Sequence, residues 1–356
     1  MTIAYFFGIG LYCKSNCKFS KNFQPSIIKM SKNNENNFET GQPEYDYLIS
    51  KICCPESRQT LHKVNNTFVN EGGEYRYEIS PSGIPLFAEH FLSADAERQS
   101  KHYDKVAAKY VENLGYPHTM EYLSYLDNAF LEQIENANLS DVAEICCGHG
   151  ELLTLKDRKN ICGVGVDISK NMLEFARDKH RENRNFVFVQ GDATKLPLQD
   201  EQFDSVFMFG GIHHVPDRMA LFSEVFRILR PGGRFYFREP VSDFLIWRWI
   251  RAVIYTLSPA LDAGTERPLL WKETVPILEQ KGFRLVSWKT YGFLGFCFFM
   301  NSDVLVFNRL FRFIPGIRTM TRWAANFDDF VVKIPGFSRA GLQVVGVAEK
   351  PSQVSK

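Results

Sequence analysis

Long apolar runs are missing from this chain. No stretch reaches the ~18 uninterrupted apolar residues that a membrane-spanning helix needs. The two stretches that come nearest, 244–255 and 291–341, are interrupted by arginines. An excess of one charge is missing too. The 42 Lys and Arg stand against 41 Asp and Glu, a net charge of +1, so no nucleic-acid partner is expected. The eight cysteines lack framework spacing. Adjacent pairs such as Cys53-Cys54 and Cys146-Cys147 cannot staple a fold, so reduced thiols in a cytoplasmic protein are expected. Cys13 and Cys17 form a lone CxxxC with no third cysteine close behind, which excludes a radical-cluster motif. The apolar run Ile3 to Tyr12 has no basic flank and no small-residue cleavage site, so it is not expected to be a signal peptide.

Aromatic residues are abundant instead. They make up 14% of the chain, 31 of them Phe, so their placement matters. Residues 1–44 are largely Asn-, Lys- and Ser-rich and read as a flexible tail. Residues 45–92 form a small α+β unit: a helix near Tyr47–Ile52, β-like stretches at Thr67–Val69 and Tyr75–Ile79, then a turn and short strand over Ser80–Phe87. Residues 93–140 read as a helical lid, broken by Gly115, Tyr116 and Pro117.

The most informative stretch is Asp141 to Glu151. Val142, Ala143 and Ile145 signal a buried strand, Gly148 and Gly150 a tight turn, and Leu152, Leu153 and Leu155 a helix start. Such a turn lets a ligand approach bare backbone with helix N–H groups aimed at it. The next strand, Cys162–Val166, ends at Asp167, 19 residues after Gly148. That is the spacing of an acid that grips ribose hydroxyls in Rossmann-type sheets. The third glycine of the dinucleotide fingerprint would fall at Leu153, which disfavours a nicotinamide dehydrogenase.

From 141 to 349 strands and helices alternate. Strands fit at 142–146, 162–166, 186–189, 204–209, 233–238, 284–290 and 342–348, and helices at 150–156, 169–181, 217–230 and 272–281. The pattern predicts an α/β fold with a Rossmann-like, doubly wound, seven-stranded sheet. Residues 291–341 form a helical insertion before the last strand. A ~50-residue connection is too long for an ordinary loop and is expected to be functional. Phe293, Phe296, Phe298, Phe299, Phe307, Phe311, Phe313, Phe327, Phe330 and Phe337 fall in it, interleaved with Arg309, Arg312, Arg318 and Arg322.

Five segments in order carry a family resemblance: Glu144-Ile145-Cys146-Cys147-Gly148-His149-Gly150, Gly165-Val166-Asp167-Ile168-Ser169, Gln190-Gly191-Asp192-Ala193, Phe203-Asp204-Ser205-Val206-Phe207 with Gly211-Ile212-His213-His214-Val215, and Leu229-Arg230-Pro231-Gly232-Gly233-Arg234. Residues 94–349 resemble a class I S-adenosylmethionine-dependent methyltransferase of type 11. Cys146 stands where the family's first glycine would be. The 45–92 unit resembles the zinc-ribbon-like domain that accompanies some of these enzymes. Only Cys54-Pro55-Glu56-Ser57 remains of the first CxxC and the second is missing, so no bound metal is expected.

The resemblance implies S-adenosylmethionine as cofactor. Glu144, Gly148 and Gly150 belong to the turn that packs against it. Asp167 would take the ribose diol, and Asp192 with Ala193 the adenine amine. Ile168 and Met172 would sandwich the ring, and Phe209 closes the list. Tyr103 and Tyr110, seven apart on one helix face, either cover the sulfonium or pack in the core. Methyl transfer to a hydroxyl or phenol needs a base, and His213 and His214 stand at the pocket mouth. His213 either acts as that base or orders the loop. Glu239 either faces the ligand or caps a loop before Pro240. The Asn-Pro-Pro-Tyr arrangement for exocyclic amines is absent, Phe209-Gly210-Gly211-Ile212 standing there.

Two functions follow. One is O- or C-methylation of a hydrophobic or lipid-linked small molecule, with the insertion and residues 244–255 as a lid or a peripheral membrane rim carrying Arg248, Arg251, Arg309 and Arg312. The other is a methyltransferase-like binding module that docks a protein through its N-terminal unit and apolar insertion.

Overall fold

The computed structural model describes residues 43–88, 97, 115–155, 161–250, 267–300 and 306–352. Tyr103, Tyr110 and Arg251 lie outside the described residues.

Seven strands form the main sheet: β4 (Val142–Ile145), β5 (Gly163–Asp167), β6 (Phe186–Gln190), β7 (Phe203–Phe209), β8 (Leu229–Pro240), β9 (Arg284–Tyr291) and β10 (Gln343–Glu349). Their order is β6-β5-β4-β7-β8-β10-β9. The first five run parallel, and β10 is antiparallel to both β8 and β9. This is the doubly wound, Rossmann-like sheet that the alternation predicts. β4, β5, β6 and β10 are almost wholly buried. Strands covered on both faces read as continuous apolar runs, which is why they stand out in the sequence.

The chain order reverses at β4. From there β5 and β6 extend one way, β7 and β8 the other. A crevice opens outside the carboxyl ends of strands at such a switch point. Helices α3 (Glu151–Leu155), α4 (Lys170–Lys179), α5 (Arg218–Ile228) and α6 (Trp271–Gln280) follow strands or precede them.

The N-terminal segment contains α1 (Pro43–Lys51) and a three-stranded meander, β1 (Leu61–Val64), β2 (Thr67–Asn70) and β3 (Arg76–Glu78). β1 is too short and mixed to show in the sequence. It pairs with β2 because Asn65 takes a left-handed turn conformation, φ 56°. The segment then meets the main sheet: Gln190 N–H donates to the Pro85 carbonyl (2.9 Å) and Phe87 N–H to the Gln190 carbonyl (3.1 Å). Leu48, Ile52, Phe68, Tyr77 and Phe87 share one core with Val187, Val189, Leu196 and Leu198. Cys54 Sγ lies 3.1 Å from the Tyr77 hydroxyl, inside that core. The apolar face of this unit is therefore turned onto the sheet.

On the other side lies α2 (Pro117–Gln133), with Pro117 at its first turn and Thr119, Tyr122, Leu123, Leu126 and Phe130 buried at helical spacing. The insertion between β9 and β10 holds α7 (Leu294–Met300), a 3-10 segment (Val306–Phe313) and α8 (Ile317–Lys333). Asp328 of α8 locks it down. Its carboxylate accepts from the N–H groups of Phe293 (2.8 Å), Gly295 (2.9 Å) and Phe296 (2.9 Å), and from the Tyr122 hydroxyl (2.5 Å). One buried acid thus caps α7 and ties the insertion to α2.

Candidate active site

Five strand ends, those of β4 to β8, bring the site together. The turn after β4 has three alternate left-handed positions, Cys146 (φ 54°), Gly148 (φ 51°) and Gly150 (φ 78°). A Cβ at Gly150 would stand 3.0 Å from the His180 ring and the backbone is left-handed there, so glycine is favoured on both counts. Cys146 holds a conformation that glycine would hold at less cost. It abuts the loop after β7, where a Cβ at Gly211 would stand 2.6 Å from that of Cys146. Burial, with Asp167, Glu239 and Asp192 all close by, pushes the Cys146 thiol well up. Acids at the ends of three strands, β5, β6 and β8, therefore act on this thiol.

Asp167, at the end of β5, closes the turn. Gly148 N–H donates to Oδ2 and Ser169 N–H to Oδ1, each at 2.8 Å. Burial raises its carboxyl despite those donors. A carboxylate has about four acceptor sites, so these backbone donors leave capacity for a diol hydroxyl. Ile168 and Met172 flank it. The Met172 Cε would stand 3.6 Å from a Cβ on Gly148. Asp192 turns Oδ1 to the Thr194 N–H (2.8 Å) and hydroxyl (2.7 Å), and Ala193 beside it is buried. This donor and acceptor set fits a nucleoside with a 2′,3′-diol lying across β4, β5 and β6.

Glu144 and Phe209 go inward. Glu144 is fully buried, and Oε1 accepts from the Leu152 N–H (3.0 Å), so it anchors the start of α3 from behind the turn. Phe209 packs on Phe130, ring centroids 4.8 Å apart, under the Arg238 guanidinium at 5.5 Å.

Glu239, at the end of β8, organises the other half. It is fully buried. Oε1 accepts from the N–H groups of Gly211 (2.7 Å) and Ile212 (2.8 Å), and Oε2 lies 2.9 Å from Nδ1 of His213 and 3.4 Å from its N–H. Glu239 is thus a loop acid: it orders the Gly211–His213 loop after β7 and contacts the His213 imidazole. Burial lifts Glu239 to about 8, against the pull of those N–H donors. His213 is buried at the loop, with the His214 ring 3.9 Å from its own.

One cluster has no counterpart in the sequence reading. Arg238, buried next to Glu239, bonds Asp127 of α2 (2.6 Å) and Glu151 of α3. Burial and Asp127 lift Glu151 to about 7, while Arg238 pulls it down. This ion triad joins the glycine turn, the sheet and α2. The available signal was a cation and two acids in otherwise apolar segments, such as Arg238 in Phe235-Tyr236-Phe237-Arg238-Glu239.

Comparison with known proteins places a family domain over the same strands. Residues 143–237 match a family described as a methyltransferase domain. The chain is 38% identical over 97 residues to a demethylmenaquinone methyltransferase of Staphylococcus saprophyticus, covering 26% of this chain and 42% of that protein. It is 38% identical over 98 residues to the Lactococcus lactis demethylmenaquinone methyltransferase, 26% and 39% of the two chains. The match thus spans about two fifths of those relatives. Among solved structures the cyclase SpnF superposes with a TM-score of 0.52 at 17% identity, over 72% of this chain and 96% of that one, a likeness of fold alone. Residues 143–237 therefore form a methyltransferase domain.

Proposed function

We propose that this protein moves the methyl group of S-adenosylmethionine to oxygen or carbon of a lipophilic, quinone-like acceptor. The observation that carries this is the single acid Glu239. It pins the Gly211–His213 loop and the His213 ring at the mouth of the crevice, beside the turn held by Asp167.

Bound cofactor supplies an electrophilic methyl on sulfur. Asp167 would take its ribose diol, and Asp192 and Ala193 its adenine edge, with Ile168 and Met172 against the ring. The residues of the chain do the rest by holding and by moving one proton. In-line displacement gains most of its rate from a fixed approach and excluded water. His213, aimed by Glu239, takes the proton from an acceptor hydroxyl as its oxygen, or the ring carbon it activates, attacks. Glu239 supports that step in its ionised form, which accepts from Nδ1 and leaves Nε2 free for the proton, and burial places this ionisation at about 8. The acceptor class comes from the relatives, both demethylmenaquinone methyltransferases.

The test uses the full chain with methyl-labelled S-adenosylmethionine and reduced demethylmenaquinone, or a lipid extract containing it. Label should enter the organic phase, and Asp167→Ala should abolish the transfer. Tight cofactor binding with no labelled product from any lipophilic acceptor would favour the binding-module reading instead.

A further inference from the structure

α8 has three faces rather than two. Ile317, Thr321, Ala325, Asp328, Val331 and Val332 are buried against the body of the protein. Arg318, Arg322, Asn326, Asp329 and Lys333 form a polar face. Between these two, Met320, Trp323, Phe327, Phe330 and Ile334 follow one another at steps of three and four residues, and all are exposed, Trp323 at 71% and Phe330 at 64%. Residues three and four apart lie on one side of a helix. The third face is therefore a continuous apolar stripe, about 25 Å long for 17 residues at the usual rise.

The stripe continues beyond the helix at both ends. Leu310, Phe313 and Ile314 are exposed before its first turn. At the far end, exposed Phe337 packs on Phe244 (5.7 Å), and Trp247 Nε1–H donates to the Ala340 carbonyl (2.7 Å). These contacts set the 245–250 helical segment, with exposed Leu245, Ile246 and Trp249, alongside.

The charges around it are one-sided. Residues 306–339 hold six cations, Arg309, Arg312, Arg318, Arg322, Lys333 and Arg339, and two acids. Asp328 is buried capping α7, Asp329 is held by Lys333 (2.6 Å), and Arg322 is paired with Glu121 of α2 (2.8 Å), so the cations still outnumber the acids along this face. An exposed aromatic stripe bordered by a basic face is the composition that lies flat in an anionic lipid interface. A protein partner would be expected to need acids set opposite these cations, whereas anionic headgroups supply that charge along the whole length.

We propose that α8, with the adjoining 245–250 segment, seats this protein on an anionic bilayer surface, the Trp323–Phe327–Phe330 stripe sinking to the headgroup–acyl boundary. This stands on the helix and is independent of the methyl-transfer reading. A lipid-dissolved acceptor would gain from it, because the surface belongs to the same insertion that Asp328 ties to α2.

The test is sedimentation of the full chain with vesicles of phosphatidylcholine and phosphatidylglycerol, against phosphatidylcholine alone. Binding should require the anionic lipid and weaken with salt. Trp323→Ser with Phe327→Ser and Phe330→Ser should lower it by at least about tenfold, with an unchanged circular dichroism spectrum, since all three side chains are exposed. Arg318→Glu with Lys333→Glu should lower it only on anionic vesicles. A measurement on the unaltered chain stands beside these: brominated lipid should quench its tryptophan fluorescence. No vesicle binding at low salt, no quenching, or a concentration-dependent dimer that the triple variant dissolves would each overturn the proposal, the last assigning the stripe to a second copy of the chain.

Discussion

Glu239→Gln separates what this acid does for the fold from what it does for chemistry. The amide oxygen keeps the bonds from Gly211 and Ile212, but an NH2 group then replaces Oε2, facing the His213 N–H at 3.4 Å and Nδ1 at 2.9 Å. The amide donor, like the protonated acid below about pH 8, makes Nδ1 an acceptor and puts the imidazole proton on Nε2, whereas the ionised acid leaves Nε2 free. The carboxyl stands at about 8 in the folded protein against 4.5 for an ordinary Glu, because burial outweighs its N–H donors. Between those values the folded state holds a proton that the unfolded chain has released. The stability this contributes is full below the unfolded value and is lost as pH rises through the folded one. From about pH 5 to about pH 8 the loss is about 3–4 kcal/mol, at about 1.36 kcal/mol per pKa unit. The Gln variant lacks this component. Urea denaturation at a series of pH values should therefore show the wild type losing about that much more stability than the variant. Where the wild-type acid is ionised, above about pH 8, turnover of the variant should be lower by about 10²–10⁴-fold, the usual worth of a positioned base, with cofactor affinity preserved. Stability curves that run parallel with pH would refute the buried-carboxyl reasoning. Wild-type turnover in the variant would remove His213 from proton transfer.

Asp167→Ala removes the acceptor for two backbone N–H groups as well as the diol contact, so calorimetry should show S-adenosylmethionine affinity down by at least about 10²-fold; a change under about threefold would place the ribose elsewhere. Arg238→Met leaves Asp127 and Glu151 buried without their cation, and should cost about 3–5 kcal/mol above neutral pH. That cost should shrink in acid, because Glu151, already lifted to about 7, then takes up a proton; an equal loss at both pH values would count against the triad. Asp328→Ala strands three N–H groups and the Tyr122 hydroxyl, for about 3 kcal/mol or more. Hydrogen exchange should then accelerate over 293–300 while β4 and β5 stay protected, and uniform acceleration would show that the insertion is not a separate cooperative unit.

Much of the fold was legible because its signals are local. Buried parallel strands show as apolar runs, and Gly148 and Gly150 mark a turn that needs left-handed backbone. Asp167 follows at a spacing that strand and helix lengths impose. β1 escaped notice because four residues of mixed polarity carry no period. Only the tertiary structure decided three things. It turned Glu144 and Phe209 inward while bringing Asp167, Asp192 and Glu239 around Cys146. It made Glu239 the partner of His213, 26 positions earlier, and Arg238 the partner of Asp127 and Glu151. It also chose which stripe of α8 meets the core. Periodicity shows that this helix has apolar residues at helical spacing on more than one side, but both stripes read alike along the chain. Which one is covered depends on what α2 and α7 present to it. The same holds for buried charges: a sequence shows that a cation sits in an apolar strand, while the acid that neutralises it is chosen by strand order and helix packing.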